Sequence, residues 1–337
     1  MKSSLAVGIV LIIIVAAFAG YMLMQHNPSQ SGSQQSKYVV VTDGLGRNVT
    51  VPLNVTRLVV LDQGSAEIVY SLGAGSLIVG RLDTMNFPPS ILNATPLTYT
   101  NGVDLEKLIS LSPDLIITYI RSQQELQSYE AHNLTVIGVP WTNSIQDLYN
   151  TIAIIGKALN REQRANYVIS YLNSTVMNIS SMVSKSTTHP RVLFIRSIGT
   201  NGIQVVTQGI ENQLISYAGG ISLSEGLSSN TSTIFINYED VVKMNPDIIV
   251  LSYRVSQNAS DILNDPRLQS VNAVKNGMVF KVPKEYTPTS PRFVLLLAYL
   301  AKIIHPEETA GLNITELRMQ LYTNIYGLNA TEISQIK

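Results

Sequence analysis

Aromatic and arginine residues follow short apolar segments in both halves of the sequence. The segments are LIIT, TVIGV, VLFI, DIIVL and MVFKV, and the residues that follow them are Tyr119, Arg121, Trp141, Arg196, Tyr253, Arg254, Glu285 and Tyr286. If the segments are parallel strands, these side chains gather at the carboxyl edges of sheets, where α/β folds bind ligands. Aromatic rings offer apolar contact, and one guanidinium group can donate two parallel hydrogen bonds to anionic oxygens. The set predicts a cleft for an organic, partly anionic ligand.

A second pattern is a repeat with an offset of 133 residues. VDLEKLISLSPDLII begins at Val103 and INYEDVVKMNPDIIV begins at Ile236, so that Glu106 corresponds to Glu239. In both copies an N-capping residue precedes the glutamate and a Pro-Asp pair ends the helix before a buried strand. A carboxylate in the first turn is favoured by the helix dipole, which alone explains both glutamates. The pattern indicates two copies of one helix–turn–strand unit.

Metal and enzyme chemistry find little support in the sequence. There is no cysteine, and the histidines show no helix-spaced pair: His26, His132, His189 and His305. Zinc and manganese receptors need clustered histidine and carboxylate ligands. Gly73-Ala74-Gly75 follows a helix and lacks the third glycine of a dinucleotide fingerprint, and there is no P-loop or Gly-x-Ser-x-Gly motif. We therefore predict a protein that is not an enzyme, without a metal site or cofactor of its own.

The elements that position these residues are short apolar strands alternating with helices. This alternation predicts parallel βα units. Residues from Ser144 to about Lys185 are almost all helical in pattern, with a break near Asn160. The predicted fold is α/β, with two Rossmann-like lobes with parallel sheets joined by a long helical backbone, which would permit only small lobe rotation. The predicted parts are a transmembrane anchor or signal segment (1–24), a Ser/Gln-rich tether (25–36), an N-terminal lobe (37–143), a helical linker (144–188) and a C-terminal lobe (189–337).

Composition and the N-terminal residues bear on location. Lys plus Arg and Asp plus Glu are both 23, and this balance argues against a nucleic-acid surface. Leu5 to Met24 contains no charge, and 20 helical residues span about 30 Å, the thickness of a bilayer core. We predict an uncleaved anchor with the body outside the cell membrane; the alternative is a cleaved signal segment and a secreted protein.

Asn-x-Ser/Thr sequons are frequent, which predicts a glycosylated exterior surface. They begin at Asn48, Asn54, Asn93, Asn133, Asn173, Asn178, Asn230, Asn258, Asn313 and Asn329.

Seven segments occur in a specific order: VTDGLGRNVTVP, EIVYSLGAGSLIVG, VDLEKLISLSPDLIITY, ENQLISYAGG, YEDVVKMNPDIIVLS, DPRLQSVNAVKNGMVFKVP and SPRFVLLLAYLAKIIHPE. In this order they resemble the ABC-importer substrate-binding proteins for iron–siderophore complexes and cobalamin. The resemblance runs from about Tyr38 to Gly327. It implies the class III periplasmic-binding fold with a helical backbone. It also implies that Glu106 and Glu239 dock into arginine pockets on the two subunits of a permease dimer, which works with a cytoplasmic ATPase. A monomeric receptor is expected.

The resemblance also bears on the ligand, a small-molecule metal chelate. Two aromatic cleft positions of cobalamin receptors fall near Thr84 and Thr100, which lack rings, and Arg196 replaces a further ring. This favours an iron(III) chelate of the siderophore type over cobalamin, with heme, molybdate-type oxyanions and other chelates as alternatives. An alternative of another class is a membrane-tethered ligand-sensing domain without transport, because a fold alone does not fix function.

Overall fold

The structure, a computed structural model, describes residues 37–228 and 230–336. The predicted anchor and tether, 1–24 and 25–36, lie outside the described residues, so both stay predictions. Within the described ranges, no helix is both long and apolar enough to span a membrane.

A five-stranded parallel sheet with flanking helices forms the N-terminal lobe, preceded by an antiparallel hairpin. The hairpin consists of β1 (Tyr38–Thr42) and β2 (Asn48–Pro52) and turns through Gly46 at φ 76. The strand order in the sheet is β5-β4-β3-β6-β7. The elements in chain order are β1 (Tyr38–Thr42), β2 (Asn48–Pro52), β3 (Leu58–Val60), α1 (Gln63–Ser71), β4 (Ile78–Leu82), β5 (Thr95–Leu97), α2 (Leu105–Ser110), β6 (Leu115–Tyr119), α3 (Gln123–Glu130) and β7 (Val136–Val139).

Two helices, α4 (Ile145–Ala158) and α5 (Glu162–Val183), join the lobes. The predicted break at Asn160 is present, and this residue has a left-handed φ of 54. The helices pack on each other, and a Cβ on Gly156 would lie 2.5 Å from the Cβ of Ala165. The helical backbone is therefore a packed pair and not a single rod.

The C-terminal lobe contains a mixed sheet, which corrects one part of the prediction. Strand order is β11-β9-β8-β12-β13, with β10 beside β8. The strands β8, β12 and β13 are parallel as predicted. The short parallel strand β10 and the antiparallel strands β9 and β11 were not predicted. The chain reverses between Gly199 and Gly202 (φ 109), a local turn that replaces a helical crossover. The elements are β8 (Arg191–Gly199), β9 (Gly202–Val206), α6 (Ile210–Tyr217), β10 (Ile221–Ser222), β11 (Thr233–Ile236), α7 (Tyr238–Met244), β12 (Ile248–Leu251), α8 (Ala259–Leu263), α9 (Asn272–Lys275), β13 (Val279–Lys281), α10 (Phe293–Ile304), α11 (Ile314–Asn324) and α12 (Ala330–Ser334).

The repeated Pro-Asp pair has a structural role that is the same in both lobes. Asp114 Oδ2 accepts hydrogen bonds from the backbone N–H of Thr56 (2.7 Å) and Arg57 (2.8 Å), just before β3. Asp247 Oδ2 accepts one from Arg191 N–H, at the start of β8, at 2.9 Å. Each aspartate thus fixes the register of two neighbouring parallel strands, and the hydrogen bonds lower the pKa of Asp114. The repeat is therefore partly explained by the sheet alone.

One buried apolar cluster continues from the N-terminal lobe into the C-terminal lobe. It runs through α4, α5 and α10 to one face of the second sheet, including Val192 and Val250. The last helices also reach back: the Tyr322 and Tyr326 rings lie 5.6 and 5.3 Å from the Phe87 ring of the N-terminal lobe. Residues 189–337, predicted as the C-terminal lobe, thus include a segment that contacts both lobes. A shared core agrees with the predicted resistance to lobe rotation.

Candidate functional site

A cleft between the lobes contains three adjoining cavities of about 550, 360 and 70 Å³. Arg254 lines all three cavities, Gln63 is shared by the two larger ones, and Trp141 by the two smaller ones. The cleft walls include every residue predicted to bind ligand: Tyr119, Arg121 and Trp141 from the N-terminal lobe, and Arg196, Tyr253, Arg254 and Tyr286 from the C-terminal lobe. The structure brings the set together; its contact with a ligand stays a prediction.

The three arginines predicted to bind ligand differ in their protein contacts. The Arg121 guanidinium lies 4.2 Å from the centroid of the Tyr99 ring and 3.6 Å from Glu125 Oε1. The Arg254 guanidinium lies 5.2 Å from the Tyr253 ring. Among the described residues, neither Arg196 nor Arg254 has a salt-bridge partner. Two guanidinium groups are thus available to anionic oxygens of a ligand.

Aromatic rings of both lobes supply apolar surface to the same cleft. The Tyr119 and Trp141 rings meet edge to face, with centroids 5.0 Å apart, and Trp141 is 42% exposed. Tyr286 packs at 5.9 Å against Tyr299, which holds its ring in place. An exposed indole supported by a second ring is a good platform for the flat part of an organic ligand.

Two partly buried acidic residues face the arginines: Asp62 at the N-cap of α1 and Glu211 in the first turn of α6. Burial raises the pKa of Asp62, the N-cap of α1, against the opposing effects of Ser65, Arg121 and Tyr119. Burial also raises the pKa of Glu211 on α6, although Arg196 and Arg254 act in the other direction. Neither residue was predicted. The pattern that predicted Tyr119 also applies to Asp62, because Asp62 follows the apolar segment LVVL as Tyr119 follows LIIT.

We expect the affinity for an anionic ligand to fall as the pH rises above the ordinary carboxyl range. An anion placed beside Glu211 further disfavours its charged form, so that binding takes up a proton at this residue. The loss is at most about tenfold per pH unit for the proton taken up. Calorimetric titration in buffers of different ionisation enthalpy measures this uptake for the wild-type protein and for Glu211→Gln. The variant should take up about one proton fewer on binding; equal proton uptake by the two proteins would contradict the expectation.

Glu106 and Glu239 lie in equivalent places, both exposed in the first turns of α2 and α7. Their helices are capped as predicted: Asp104 Oδ1 accepts from Lys107 N–H at 3.1 Å, and Asn237 Oδ1 from Asp240 N–H at 2.8 Å. Over the described part of the chain, neither glutamate forms a salt bridge. Both carboxylates are therefore accessible to a partner.

A groove of about 560 Å³ adjoins Glu239 and is lined by Tyr238, Val242, Lys243 and Arg267. The Arg267 guanidinium stacks 3.4 Å from the Tyr238 ring centroid and is held by Asp265 Oδ2 at 2.6 Å. The surface next to this glutamate is therefore ordered by neighbouring side chains.

Glu285, His189 and His305 form hydrogen bonds within the protein. Glu285, predicted at the cleft edge, lines the 550 Å³ cavity, but its Oε1 accepts hydrogen bonds from Arg318 Nε at 2.5 Å and from the Tyr322 hydroxyl. In the described ranges, no group of three or more His, Asp or Glu residues is placed to hold a metal ion. His189 and His305 both bond to the Gly219 carbonyl, at 3.0 and 3.2 Å, which assigns them structural roles.

Comparison with known proteins identifies the family. The family described as periplasmic binding protein matches residues 58–286, more than half of the chain. An ABC transporter substrate-binding lipoprotein of Bacillus subtilis, YvrC, is 25% identical and covers 83% of this chain and 92% of its own length. The petrobactin-binding protein YclQ of the same organism is 22% identical, covering 76% of this chain and 83% of its own. A solved structure of the molybdate-binding protein MolA of Haemophilus influenzae superimposes with a TM-score of 0.74 at 19% identity, covering 86% of this chain and 98% of that one. The chain belongs to the periplasmic binding protein family.

Proposed function

We propose that this protein is the extracytoplasmic substrate-binding receptor of an ABC importer, and that it captures an iron(III) chelate of the siderophore type in the inter-lobe cleft. The observation that carries the proposal is the cleft itself, where Arg121, Arg196 and Arg254 line adjoining cavities. Arg196 and Arg254 form no salt bridge among the described residues. Such a cleft is built for an anionic ligand.

The size and lining of the cleft favour an organic chelate over a bare oxyanion. The two larger cavities have volumes of about 550 and 360 Å³, and Tyr119, Trp141 and Tyr253 contribute rings to their walls. A tetrahedral oxyanion would leave these rings without contact, whereas an organic chelate would cover them. The likeness to a petrobactin-binding protein supports this choice, and the likeness to MolA makes molybdate a ligand that must be tested.

Delivery to a permease gives the exposed glutamates Glu106 and Glu239 a function. One carboxylate on each lobe suits a permease dimer with twofold symmetry. We further propose that the apolar segment 1–24 anchors the body to the cell membrane, which would raise its effective concentration at the permease. The relative YvrC is a lipoprotein, but this chain has no cysteine to carry such a lipid. All ten sequon asparagines are exposed, as glycosylation would require.

Quenching of the single tryptophan, Trp141, tests the proposal. Titration with an anionic ferric catecholate complex should quench its fluorescence, whereas cobalamin, heme and molybdate should bind more weakly. Arg254→Ala should weaken binding by about 10- to 100-fold, because it removes charge-assisted hydrogen bonds. Arg161→Ala is the matched control, an exposed arginine that lines none of the cleft cavities. Tight binding of cobalamin or molybdate without binding of the ferric complex would contradict the proposed ligand.

A further inference from the structure

Two polar atoms on one wall of the 360 Å³ cavity are buried and have no hydrogen-bond partner among the described residues. They are Asp62 Oδ2 and Ser65 Oγ, and both residues line this cavity. Ser65 is only 2% exposed. The Ser65 hydroxyl and the Tyr119 backbone are near enough to lower the pKa of Asp62, but neither meets the geometry of a hydrogen bond to Asp62 Oδ2. Buried polar atoms are almost always paired in folded proteins, so this pair needs an explanation.

The local fold explains why these atoms are placed here but not why they lack partners. Asp62 caps α1 with its other oxygen, Oδ1, which accepts from Ser65 N–H at 2.8 Å. Gly64 lies between them, and a Cβ there would be 2.6 Å from the Thr289 carbonyl oxygen of the C-terminal lobe. The second lobe therefore lies directly against the start of α1, at the wall of this cavity. An unpaired polar atom in such a place costs stability.

The same cavity contains both hydrogen-bond donors and hydrogen-bond acceptors. Arg121 and Arg254 line it and can only donate hydrogen bonds. Asp62 Oδ2 is an acceptor when ionised, and the Ser65 hydroxyl can both accept and donate. Anionic oxygens of a ligand would accept hydrogen bonds from the arginines. A hydroxyl, amine or amide group of the ligand would donate a hydrogen bond to the carboxylate.

We propose that Asp62 and Ser65 form a subsite that binds a hydrogen-bond donor of the ligand, beside the arginines that bind its anionic oxygens. The inference rests on the proposed function and narrows the ligand class to chelates that carry a hydroxyl, amine or amide N–H. A deprotonated oxyanion has no such hydrogen and would leave both atoms unpaired. Burial raises the pKa of Asp62, and a donor from the ligand would stabilise its carboxylate form.

Paired synthetic probes test the subsite. The ferric complexes of 4-(hydroxymethyl)catechol and 4-(methoxymethyl)catechol are both anionic and differ in one O–H donor on each catechol. With the full-length chain, we expect about 5- to 10-fold tighter binding of the hydroxymethyl complex, the effect of one net hydrogen bond. Ser65→Ala and Asp62→Asn should each reduce this ratio to about 1; asparagine keeps the N-cap acceptor of α1.

Ser71→Ala is the matched control, because Ser71 is a buried serine on the same helix whose hydroxyl donates to Ile68 O at 2.7 Å. This variant should be less stable than the wild-type protein but keep the wild-type ratio of affinities for the two complexes. In the absence of ligand, Ser65→Ala should be at least as stable as the wild-type protein. The Ser65 hydroxyl forms no hydrogen bond among the described residues that the substitution could remove. Equal binding of the two complexes by the wild-type protein, or a melting temperature lowered by Ser65→Ala, would overturn the subsite while the proposed function stands. If neither complex binds, the proposed iron-chelate function fails and the subsite fails with it.

Discussion

Replacing Arg292 with alanine is expected to lower the free energy of unfolding by about 3–5 kcal/mol, the range for removal of one partner from a buried ion pair. Glu67 is fully buried and Arg292 is 6% exposed. The Arg292 guanidinium donates to Glu67 through Nη2 at 2.6 Å and Nε at 2.8 Å, and lies 3.9 Å from the Phe87 ring. Without arginine, the Glu67 carboxylate would remain buried with only neutral donors.

The effect should be large because this ion pair joins three separate parts of the chain. Glu67 belongs to α1, Arg292 precedes α10, and the Tyr326 hydroxyl donates to Glu67 at 3.1 Å from beyond α11. Gln63 Nε2 also donates to Glu67, at 2.9 Å. The network therefore joins both lobes and the C-terminal segment at one point in the wall of the cleft, where Gln63 and Arg292 line the 550 Å³ cavity.

Urea unfolding measured by circular dichroism checks the prediction. Arg292→Ala should lower the midpoint with little change in the slope. The double variant Glu67→Leu, Arg292→Met should recover much of the loss, because apolar replacement of a whole buried pair is often neutral. Arg161→Ala, on the exposed surface, serves as the control and should change stability by less than about 0.5 kcal/mol. A loss below about 1 kcal/mol for Arg292→Ala would show that the carboxylate finds other partners.

The parts of the fold that could be predicted are those with a local signal. Alternating apolar strands and helices gave the two lobes, and the run from Ser144 gave the helical connection with its break at Asn160. The antiparallel strands β9 and β11 were missed because GIQVV and TIFI are short apolar runs whose direction depends on which neighbour they join. Nothing local in a strand records whether the chain crosses over or turns back.

The cleft was predictable to the extent that residues directly follow apolar strands. That rule found Arg196 and Trp141, but it also placed Glu285 in the binding set, whereas the structure pairs it with Arg318. The partner on α11 lies 33 positions away in the chain, and no sequence pattern joins the two. Similarly, the pairing of Glu67 with Arg292 spans 225 positions. Long-range charge pairing decides which cleft residues remain available to a ligand, and it becomes visible only with coordinates.

Replacing Glu106 and Glu239 together with alanine is expected to abolish transport and leave ligand binding intact. Both side chains are exposed, lie in the first turns of equivalent helices and form no salt bridge among the described residues. Exposed charges of this kind guide association and fix the orientation of docking more than they add affinity. Neither glutamate lines the cleft cavities, so the ligand should bind the double variant with unchanged affinity.

Uptake of the labelled ferric complex into cells that carry the cognate permease and ATPase measures the effect. Each single variant should retain part of the transport rate, because one lobe still docks, and the double variant should fall to the background rate. Raising the salt concentration should lower the transport rate of the wild-type protein in reconstituted vesicles, since screening weakens exposed charge pairs. The matched control is Glu162→Ala, which removes an exposed first-turn glutamate from α5, on the helical connection between the lobes. Transport by the double variant at the wild-type rate would exclude the docking role, and loss of ligand binding in the folded variant would assign the two glutamates to the cleft instead. The repeat with an offset of 133 residues would then be explained by the sheets alone, through Asp114 and Asp247.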